Sequence, residues 1–343
     1  MRAAFFLAAS LLLTGAVAAS PNKDIRDTAV YCTNGLTCDL TLMVKGKSQG
    51  LYSLALSRTS GPDTPIKLII RSTSLLASGS DLVFAADGID VLTLNVANFD
   101  LYADNYEYTA KDEALGRKLF GLLKDASSLS ISFVAGNAGK TEFSLAGVSG
   151  AGLFVDEVQG RLESRDALVR VGDREPAPTL VRDITAFEQL PAALRPEFEA
   201  EESACGFIDN NRFKNGSGFA VSLPDEVELF VLPCTDGGAY NQPYALYQIS
   251  SGALSEVSLP VMTEDGPSTT SGATNVDWDQ PTKTLTAFDK GRGLGDCGTL
   301  DIWKLRDSPG EASFALVESR VKDECDGEGE GGPETWPLLW PKG

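Results

Sequence analysis

The sequence predicts a mainly β, disulfide-stapled protein with a few short helices, in which two β-rich domains are joined by a linker rich in proline and acidic residues. Short segments alternate apolar and polar residues, as where Leu40 and Leu42 alternate with Asp39 and Thr41, and this is typical of half-buried strands. Turn-forming residues separate these segments at short intervals, as in all-β domains. The six cysteines form an even set, which is typical of exported proteins.

Residues 1–19 are predicted to be a secretory signal peptide. Arg2 is the charged start, residues 3–13 form the apolar segment, and Ala16-Val17-Ala18 is a small-residue cleavage pattern, so cleavage is expected near Ala18 to Ser20. The apolar segment is too short to cross a bilayer, and no later segment is long enough. We therefore expect an exported periplasmic protein without a membrane span.

The change in composition near the middle of the chain predicts the domain boundaries. We expect an N-terminal β-rich domain over residues 20–172, a linker over residues 173–204 and a C-terminal β-rich domain over residues 205–343. The linker is rich in prolines and acidic residues, which favours an extended connection with one or two short helical turns around residues 184–190.

The first half is predicted to be a sheet with two covering helices. Thr33-Asn34-Gly35 is a hairpin turn signal between its first two strands. The strands are expected over residues 29–32, 37–44, 51–56, 66–70, 91–96, 129–133, 141–145 and 167–171.

Two segments of the first half have helical spacing. In residues 109–124, apolar residues recur every three or four positions, and Thr109 with Asp112 resembles a capping box. In residues 150–162, the residues expected to face inward are Leu153, Phe154 and Val158, and those expected to face outward are Asp156, Glu157 and Arg161. We expect both helices to pack on the sheet.

The second half is predicted to be all β. Its strands are expected near residues 219–223, 227–232, 245–249, 257–261, 284–288, 300–305 and 314–318. The four tryptophans, Trp278, Trp303, Trp336 and Trp340, all lie near the end of the chain. They are either core residues of this domain or a platform on which a ligand stacks, and the core interpretation is favoured because bulky aromatics dominate small cores.

The cysteines predict disulfides that join near neighbours in the sequence. We expect Cys32 with Cys38, Cys205 with Cys234, and Cys297 with Cys325, because short loops close at the lowest entropic cost. Other pairings remain possible from spacing alone. Zinc binding is disfavoured, since no C-x-x-C pair and no histidine is present.

Composition excludes several function classes. The chain has no histidine, so the Ser-His-Asp and Cys-His mechanisms are excluded, and we expect no cofactor and no metal centre. The net charge is −19, which makes nucleic acid and anionic membranes poor partners. Paired carboxylates, a lysine-activated serine and a metal bound by oxygen ligands remain possible in principle, although the chain has no S-x-x-K motif.

The glycine-rich segment Lys290 to Gly298 is the most distinctive stretch of the chain. Its Gly-x-Gly-x-Gly pattern, followed by Cys297, predicts either an anion cradle that uses Lys290 and Arg292 or a strand-to-strand turn held by a disulfide. The turn is favoured, because a phosphate loop would end in Gly-Lys-Ser/Thr and open a helix. The candidate contact residues are Lys290, Arg292, Asp296, Trp336 and Trp340.

Other candidate sites have weaker signals. Asp277 and Asp279 would share one face of a strand, where paired carboxylates shift each other's pKa or hold a cation; a solvated face is the favoured interpretation. The acidic residues after Cys325, namely Asp326, Glu328 and Glu330, depart from calcium-loop spacing. Asn215-Gly216-Ser217 is a formal glycosylation sequon.

The chain resembles a bacterial exported family catalogued as domain of unknown function 1176. The segments that carry the resemblance are Cys32 to Cys38, Phe143 to Gly147, Asp156 to Arg161, Pro233-Cys234, Gly238 to Asn241, Lys290 to Gly298 and Trp336 to Trp340. The first half also resembles invasion-associated locus B proteins, in its cysteine hairpin and in a Leu-x-Gly segment that leads into a helix. These resemblances imply a Gram-negative envelope address and two β-rich domains, but no reaction.

Three functional hypotheses follow. The favoured one is a non-catalytic periplasmic protein that binds a partner or supports the envelope, with an envelope protein, a host protein or a small ligand as the partner. The second is a histidine-free hydrolase that uses carboxylates such as Asp277 or Asp296. The third is a secreted factor that contacts host cells. The oligomeric state cannot be read from the sequence.

Overall fold

Strands dominate the structure, which confirms the predicted mainly β fold class. The computed structural model describes residues 21–46, 50–102, 106–134, 139–199, 202–206, 213, 218–235, 237–327 and 331–341. The predicted signal peptide and its cleavage site lie outside these residues. None of the helices within the described ranges is long and apolar enough to cross a membrane.

The first half of the chain forms two antiparallel sheets. The strands are β1 (Lys23–Ile25), β2 (Thr28–Cys32), β3 (Cys38–Met43), β4 (Leu51–Arg58), β5 (Ile66–Ser72), β6 (Asp81–Ala86), β7 (Ile89–Asn95), β8 (Phe99–Tyr102), β9 (Glu107–Ala110), β10 (Ser128–Val134) and β11 (Lys140–Ser144). One sheet has the order β1-β2-β3-β4-β5-β9-β8 and the other β11-β10-β6-β7. An isolated bridge between Val44 and Phe143 connects them.

The core of the first half lies between these sheets and two helices. Leu40 and Leu42 are buried while Asp39 and Thr41 are half-buried, which confirms the predicted alternation of β3. Helix α1 (Leu115–Leu123) packs on β5, and α2 (Val148–Val158) packs on β2 and β3. Both helices place apolar residues in one buried cluster with the strands, as predicted for covering helices. In α2 these are Val148, Ala151 and Val155, whereas Leu153, Phe154 and Val158, which were expected to face inward, are only half-buried.

The predicted bounds of the two helices were too long. Residues 107–110 form β9 instead of the start of α1, because Thr109 pairs with Ile69 of β5 and with Asp100 of β8. The predicted capping box is therefore wrong, and the Asp112 side chain instead accepts a hydrogen bond from Ala114 N at 3.0 Å. Sheet pairing outweighs a local capping signal here.

The predictions for residues 156–171 were wrong in two respects. Asp156 is 0% and Arg161 1% exposed, although both were expected to face outward. Residues 167–171 form no strand, because the Asp156 carboxylate accepts hydrogen bonds from Leu168 N and Val169 N at 2.8–3.0 Å. A buried carboxylate takes the backbone donors that a neighbouring strand would otherwise have taken.

The second half forms a sandwich of antiparallel sheets. Its elements are β12 (Val181–Ile184), α3 (Pro196–Glu199), β13 (Gly218–Leu223), β14 (Val227–Pro233), β15 (Pro243–Ser250), β16 (Ala253–Glu256), β17 (Leu259–Thr263), β18 (Gly266–Thr270), β19 (Gly272–Thr274), β20 (Val276–Asp279), β21 (Thr284–Lys290), β22 (Gly298–Leu305), β23 (Phe314–Lys322) and β24 (Leu338–Trp340). The two larger sheets have the orders β12-β13-β14-β15-β16 and β20-β21-β22-β23-β24.

Two clusters form the core of the second half. One joins the facing sheets and includes Phe219, Trp278 and Trp303. The other lies on the opposite side of β13 to β15 and includes Leu194 and Phe198. Residues 181–198 of the predicted linker thus contribute β12, α3 and core side chains. The boundaries of the predicted domains stay a prediction.

The cysteines form three disulfides, which join Cys32 to Cys38, Cys205 to Cys234 and Cys297 to Cys325. These are the nearest-neighbour pairs that the sequence favoured. Cys32 and Cys38 are also register partners at the end of the β2–β3 hairpin, so their bridge closes the hairpin across its neck.

Candidate functional site

The segment Lys290 to Gly298 is a tight connection between β21 and β22. Lys290 and Gly298 are register partners in the two strands, and Gly291 N donates to Cys297 O at 2.9 Å. Gly298 has φ +135°, and a Cβ there would lie 2.0 Å from Asp289 O, so only glycine fits. A strand follows the segment where an anion cradle would need a helix start. The contact loop, defined as residues 290–298, is therefore the strand-to-strand turn that the sequence favoured.

Asp296 holds the contact loop together from inside. Arg292 Nε donates to Asp296 Oδ1 at 2.8 Å and Arg292 Nη2 to Oδ2 at 2.5 Å. Gly327 N, beyond the Cys297–Cys325 disulfide, donates to the same carboxylate at 2.6 Å. The Arg292 hydrogen bonds hold the pKa of Asp296 far below its usual range. The carboxylate is thus permanently ionised and its oxygens are engaged, which makes it a poor proton donor or acceptor.

Three residues outside the contact loop fix its position. Asn241 donates through Nδ2 to Lys290 O at 2.8 Å and accepts through Oδ1 from Lys290 N at 3.1 Å. Asn275 Nδ2 donates to Asn241 Oδ1 at 2.8 Å and to Tyr240 O at 3.0 Å. The Tyr240 hydroxyl reaches Gly291 O at 3.5 Å. The sequence signalled Tyr240 and Asn241 only through the family resemblance, and it gave no signal for Asn275.

Of the two candidate tryptophans, Trp336 is buried and Trp340 is partly exposed. Trp336 is 5% exposed and packs edge-on against Phe288 at 5.6 Å between ring centroids. Lys290 Nζ lies 5.6 Å from the centroid of the same Phe288 ring, a cation–π geometry. Trp340 is 36% exposed and lies in β24, opposite Ser319. The structure thus brings Lys290, Phe288 and Trp336 together, while Trp340 lies in β24, which β22 and β23 separate from β21.

The exposed part of the contact loop is apolar. Leu294 at its tip is 76% exposed, and the Tyr240 side chain beside it is 41% exposed. A Cβ on Gly293 would lie 3.4 Å from the Tyr240 ring, so that ring lies against the loop backbone. A rigid loop that exposes a leucine and a tyrosine is suited to contact another apolar surface.

The family assignment is decided by a match over almost the whole chain. A family model described as "Protein of unknown function (DUF1176)" matches residues 22–342. This chain belongs to that family. The match includes the contact loop, Tyr240, Asn241 and the tryptophan-rich end.

A relative of this DUF1176 protein is the "Uncharacterized protein YpfG" of Escherichia coli (strain K12). The two are 26% identical over 363 residues, which cover 98% of this chain and 97% of the relative. No solved structure matches the chain. The comparisons therefore give the family without an activity.

Asp277 and Asp279 of the DUF1176 protein lie as the sequence predicted, both half-buried on β20, with Trp278 buried. Asp279 accepts a hydrogen bond from Thr282 Oγ1 at 2.7 Å. Burial raises the pKa of Tyr244 to about 12, and the nearby charge of Asp277 adds to this shift. Within the described ranges, no group of three or more Asp, Glu, Cys or His side chains is placed to hold a metal ion.

Two other sequence candidates fall partly or wholly outside the described residues. Asp326 forms an ion pair with Lys322 at 2.8 Å, but Glu328 and Glu330 of the same acidic segment lie outside the described ranges. The sequon at residues 215–217 lies outside them as well.

The sequence did not reveal a buried charged network in the first half of the DUF1176 protein. Arg58 and Arg161 both pair with Asp166, and Arg58 also lies 3.8 Å from Asp156. Burial lowers the pKa of Arg58 to about 10. Ion pairs of this depth need several partners to offset the loss of solvent, and the partners here come from three separate segments. Only Asp156 and Arg161 had a signal, as members of a family motif.

Proposed function

We propose that this protein is exported to the periplasm and acts without catalysis, by binding a protein of the envelope through its contact loop. The observation that carries the proposal is a locked loop with an exposed apolar tip at Leu294. Because the loop is already ordered by the Cys297–Cys325 bridge and by Asp296, a partner would not have to order it on binding.

The composition of the exposed surface supports a protein partner. Tyrosine beside a well-exposed leucine is typical of the residues that dominate binding energy at interfaces. The contact loop contains Lys290, Arg292 and Asp296, and Arg292 pairs with Asp296, so the exposed apolar residues and not a charged patch characterise its surface. A partner whose contact surface is apolar is therefore favoured.

Asp296 is unsuited to the catalytic role that the hydrolase hypothesis gives it. Asp296 is bound by Arg292 and by Gly327 N, and its lowered pKa is opposite to what a general acid requires. No observation specifically favours turnover.

The periplasmic address is supported by the three disulfides, which indicate an oxidising, exported environment. The signal-like residues 1–19 and the two domains predicted over residues 20–172 and 205–343 belong to the same proposal. A role in host contact rests only on the likeness of the first half to invasion-associated locus B proteins, and it requires the protein to leave the periplasm.

The test is photocrosslinking in intact cells of the source bacterium. A photoreactive amino acid replaces Leu294 at the tip of the contact loop, and in a matched control it replaces Asp265, an exposed turn residue between β17 and β18. We expect a discrete crosslinked protein from position 294 that is absent from position 265, and that weakens when Tyr240→Ala is added. No crosslink from position 294, or the same crosslinks from both positions, contradicts the proposal.

A further inference from the structure

The cysteine hairpin of the first half reaches into the second half. Residues 33–37 form its turn between β2 and β3. Thr33 Oγ1 donates to Asp183 Oδ2 at 2.6 Å, and Gly35 N donates to Asp183 Oδ1 at 3.0 Å. Asp183 lies in β12, the edge strand of the first sheet of the second half. Both oxygens of this carboxylate are therefore occupied by one turn of the other half.

Asn34 binds the second half at another sheet. Its Nδ2 donates to Val276 O at 3.0 Å, and its Oδ1 accepts from Trp278 N at 2.9 Å. Val276 and Trp278 belong to β20, the edge strand of the five-stranded sheet. The asparagine amide thus pairs with the free backbone edge of β20 as a neighbouring strand would. The turn connects two separate sheets of the second half.

Leu36 is the apolar part of the same contact. It is 6% exposed and belongs to the core cluster of the second half, together with Val181 and Trp278. On the other side, Gln159 Nε2 of the first half donates to Leu36 O at 2.8 Å and to Arg58 O at 2.9 Å. A first-half residue is therefore buried in the second half while its own backbone is held by the first half.

The fit of the turn depends on a glycine. A Cβ on Gly35 would lie 2.1 Å from Asp183 N, a distance that no packed structure tolerates. The φ of Gly35 is not in the left-handed region, so alanine at this position is compatible with the turn itself. Gly35 is needed for docking and not for the hairpin.

We infer that the Cys32–Cys38 hairpin is a latch that fixes the two halves together, and that its docked turn keeps the hairpin closed around this disulfide. Cys32 and Cys38 are both 0% exposed, whereas Cys325 of the contact-loop bridge is exposed. On closure, the two thiols pass two electrons and two protons to a disulfide oxidant, which becomes a dithiol. The bridge lies in the core cluster of the first half, so a reductant reaches it only when the hairpin opens locally. This inference does not depend on the proposed function.

The test compares two glycine variants of the full-length oxidised protein. Gly35→Ala places a methyl group against Asp183, and the control Gly121→Ala adds a methyl group to α1 where no atom lies within 4 Å. Each protein is treated with dithiothreitol, samples are alkylated over time, and mass spectrometry follows each bridge separately.

In the wild type we expect Cys297–Cys325 to open before Cys32–Cys38. In Gly35→Ala the Cys32–Cys38 bridge should open at least about tenfold faster, because the undocked hairpin opens locally more often, while Cys297–Cys325 opens at its wild-type rate. Gly121→Ala should open Cys32–Cys38 no faster than the wild type does, and should match the wild type at Cys297–Cys325. An unchanged rate for Cys32–Cys38 in Gly35→Ala would overturn the inference.

A second measurement separates the halves during unfolding. All four tryptophans lie in the second half, so tryptophan fluorescence reports that half while far-ultraviolet circular dichroism reports the whole chain. We expect coincident transitions in the wild type and separated transitions in Gly35→Ala. Coincident transitions in both proteins contradict the latch. If Gly35→Ala does not fold, both measurements on Asn34→Ala, which removes only the contacts with β20, decide in the same way.

Discussion

Asp296 shows how one side chain can resemble a catalytic residue and serve as a structural one. It lies in a glycine-rich loop beside two basic residues, which is where chemistry is often found. Its carboxylate is instead bound by Arg292 and by Gly327 N, and these hydrogen bonds lower its pKa. A lowered pKa means that the folded state prefers the ionised form.

This pKa shift predicts how stability depends on pH at Asp296. The ionised carboxylate stabilises the fold above its ordinary pKa of 3.8, and that contribution is lost as the pH falls below this value toward the folded-state pKa. We expect Asp296→Asn to lower the melting midpoint by a few degrees at neutral pH. The difference from the wild type should shrink in acid below about pH 4. Thermal unfolding followed by tryptophan fluorescence measures both.

Asp307→Asn is the matched control for this prediction. Asp307 also has a lowered pKa, because of its ion pair with Lys283 at 2.8 Å, but its side chain is 89% exposed. Exposed pairs contribute little, so we expect almost no change in the midpoint. An Asp296→Asn protein that melts like this control would contradict the structural role of Asp296.

Other carboxyls of the second half behave in the opposite way. Burial raises the pKa of Asp301, and nearby charge on Asp289 adds to the effect. A raised folded-state pKa means that the stability contributed by the protonated form is lost as the pH rises through it. The stability that Asp301 contributes therefore falls as the pH rises, whereas the stability that Asp296 contributes falls as the pH drops.

At the scale of an element, the effect of a substitution in helix α1 also depends on what packs against the residue. Its position on β5 brings Gly116 against the backbone, where a Cβ would lie 2.0 Å from Ile66 O. Gly121, one and a half turns later, has no atom within 4 Å of an added Cβ. Helix propensity favours alanine at both positions, but packing permits it at only one.

The two glycines of α1 give a prediction with opposite signs. Gly121→Ala should raise the free energy of unfolding by up to about 1 kcal/mol, from helix propensity. Gly116→Ala should lower it by about 1 to 3 kcal/mol, because the helix must move away from β5. Urea unfolding followed by circular dichroism measures both. Equal effects of the two substitutions would show that α1 does not pack on β5 through Gly116.

At the scale of the whole molecule, the three disulfides and residues 1–19 bear on the compartment in which the protein folds. The three bridges indicate an oxidising, exported environment. Residues 1–19 are predicted to be the signal peptide that would deliver the chain there.

Signal cleavage and disulfide formation together predict the mass of the exported protein. We expect the protein isolated from the periplasm to begin at Ala19 or Ser20 and to weigh six hydrogens less than its reduced sequence, since all six cysteines are paired. Native mass spectrometry of gently isolated protein measures this and also detects a bound partner. A mass that includes residues 1–19, or that rises on alkylation without reduction, would contradict the prediction.

The sequence by itself determined the fold class, most strands and the cysteine pairs, because these depend on local signals. Alternation in β3 and the turn Thr33-Asn34-Gly35 act within a few residues, and near cysteines close short loops. The sequence also made the contact loop recognisable as a turn. It could not show what holds the loop in place, since Asn241 lies 49 residues from Lys290, whose backbone it binds, and Gly327 lies 31 residues from Asp296, whose carboxylate it binds.

Only the tertiary structure decided the roles of buried polar residues. Asp156 and Arg161 are charged and were therefore expected to face outward. They instead form a buried network with Arg58, Asp166 and backbone donors from other segments. Thr109 has a capping signal, yet it joins a sheet because β5 offers a free edge. Gly35 is ordinary in a hairpin, and its need for a bare backbone arises from Asp183, which lies 148 residues away. Partners this distant leave no local pattern, so folding alone reveals them.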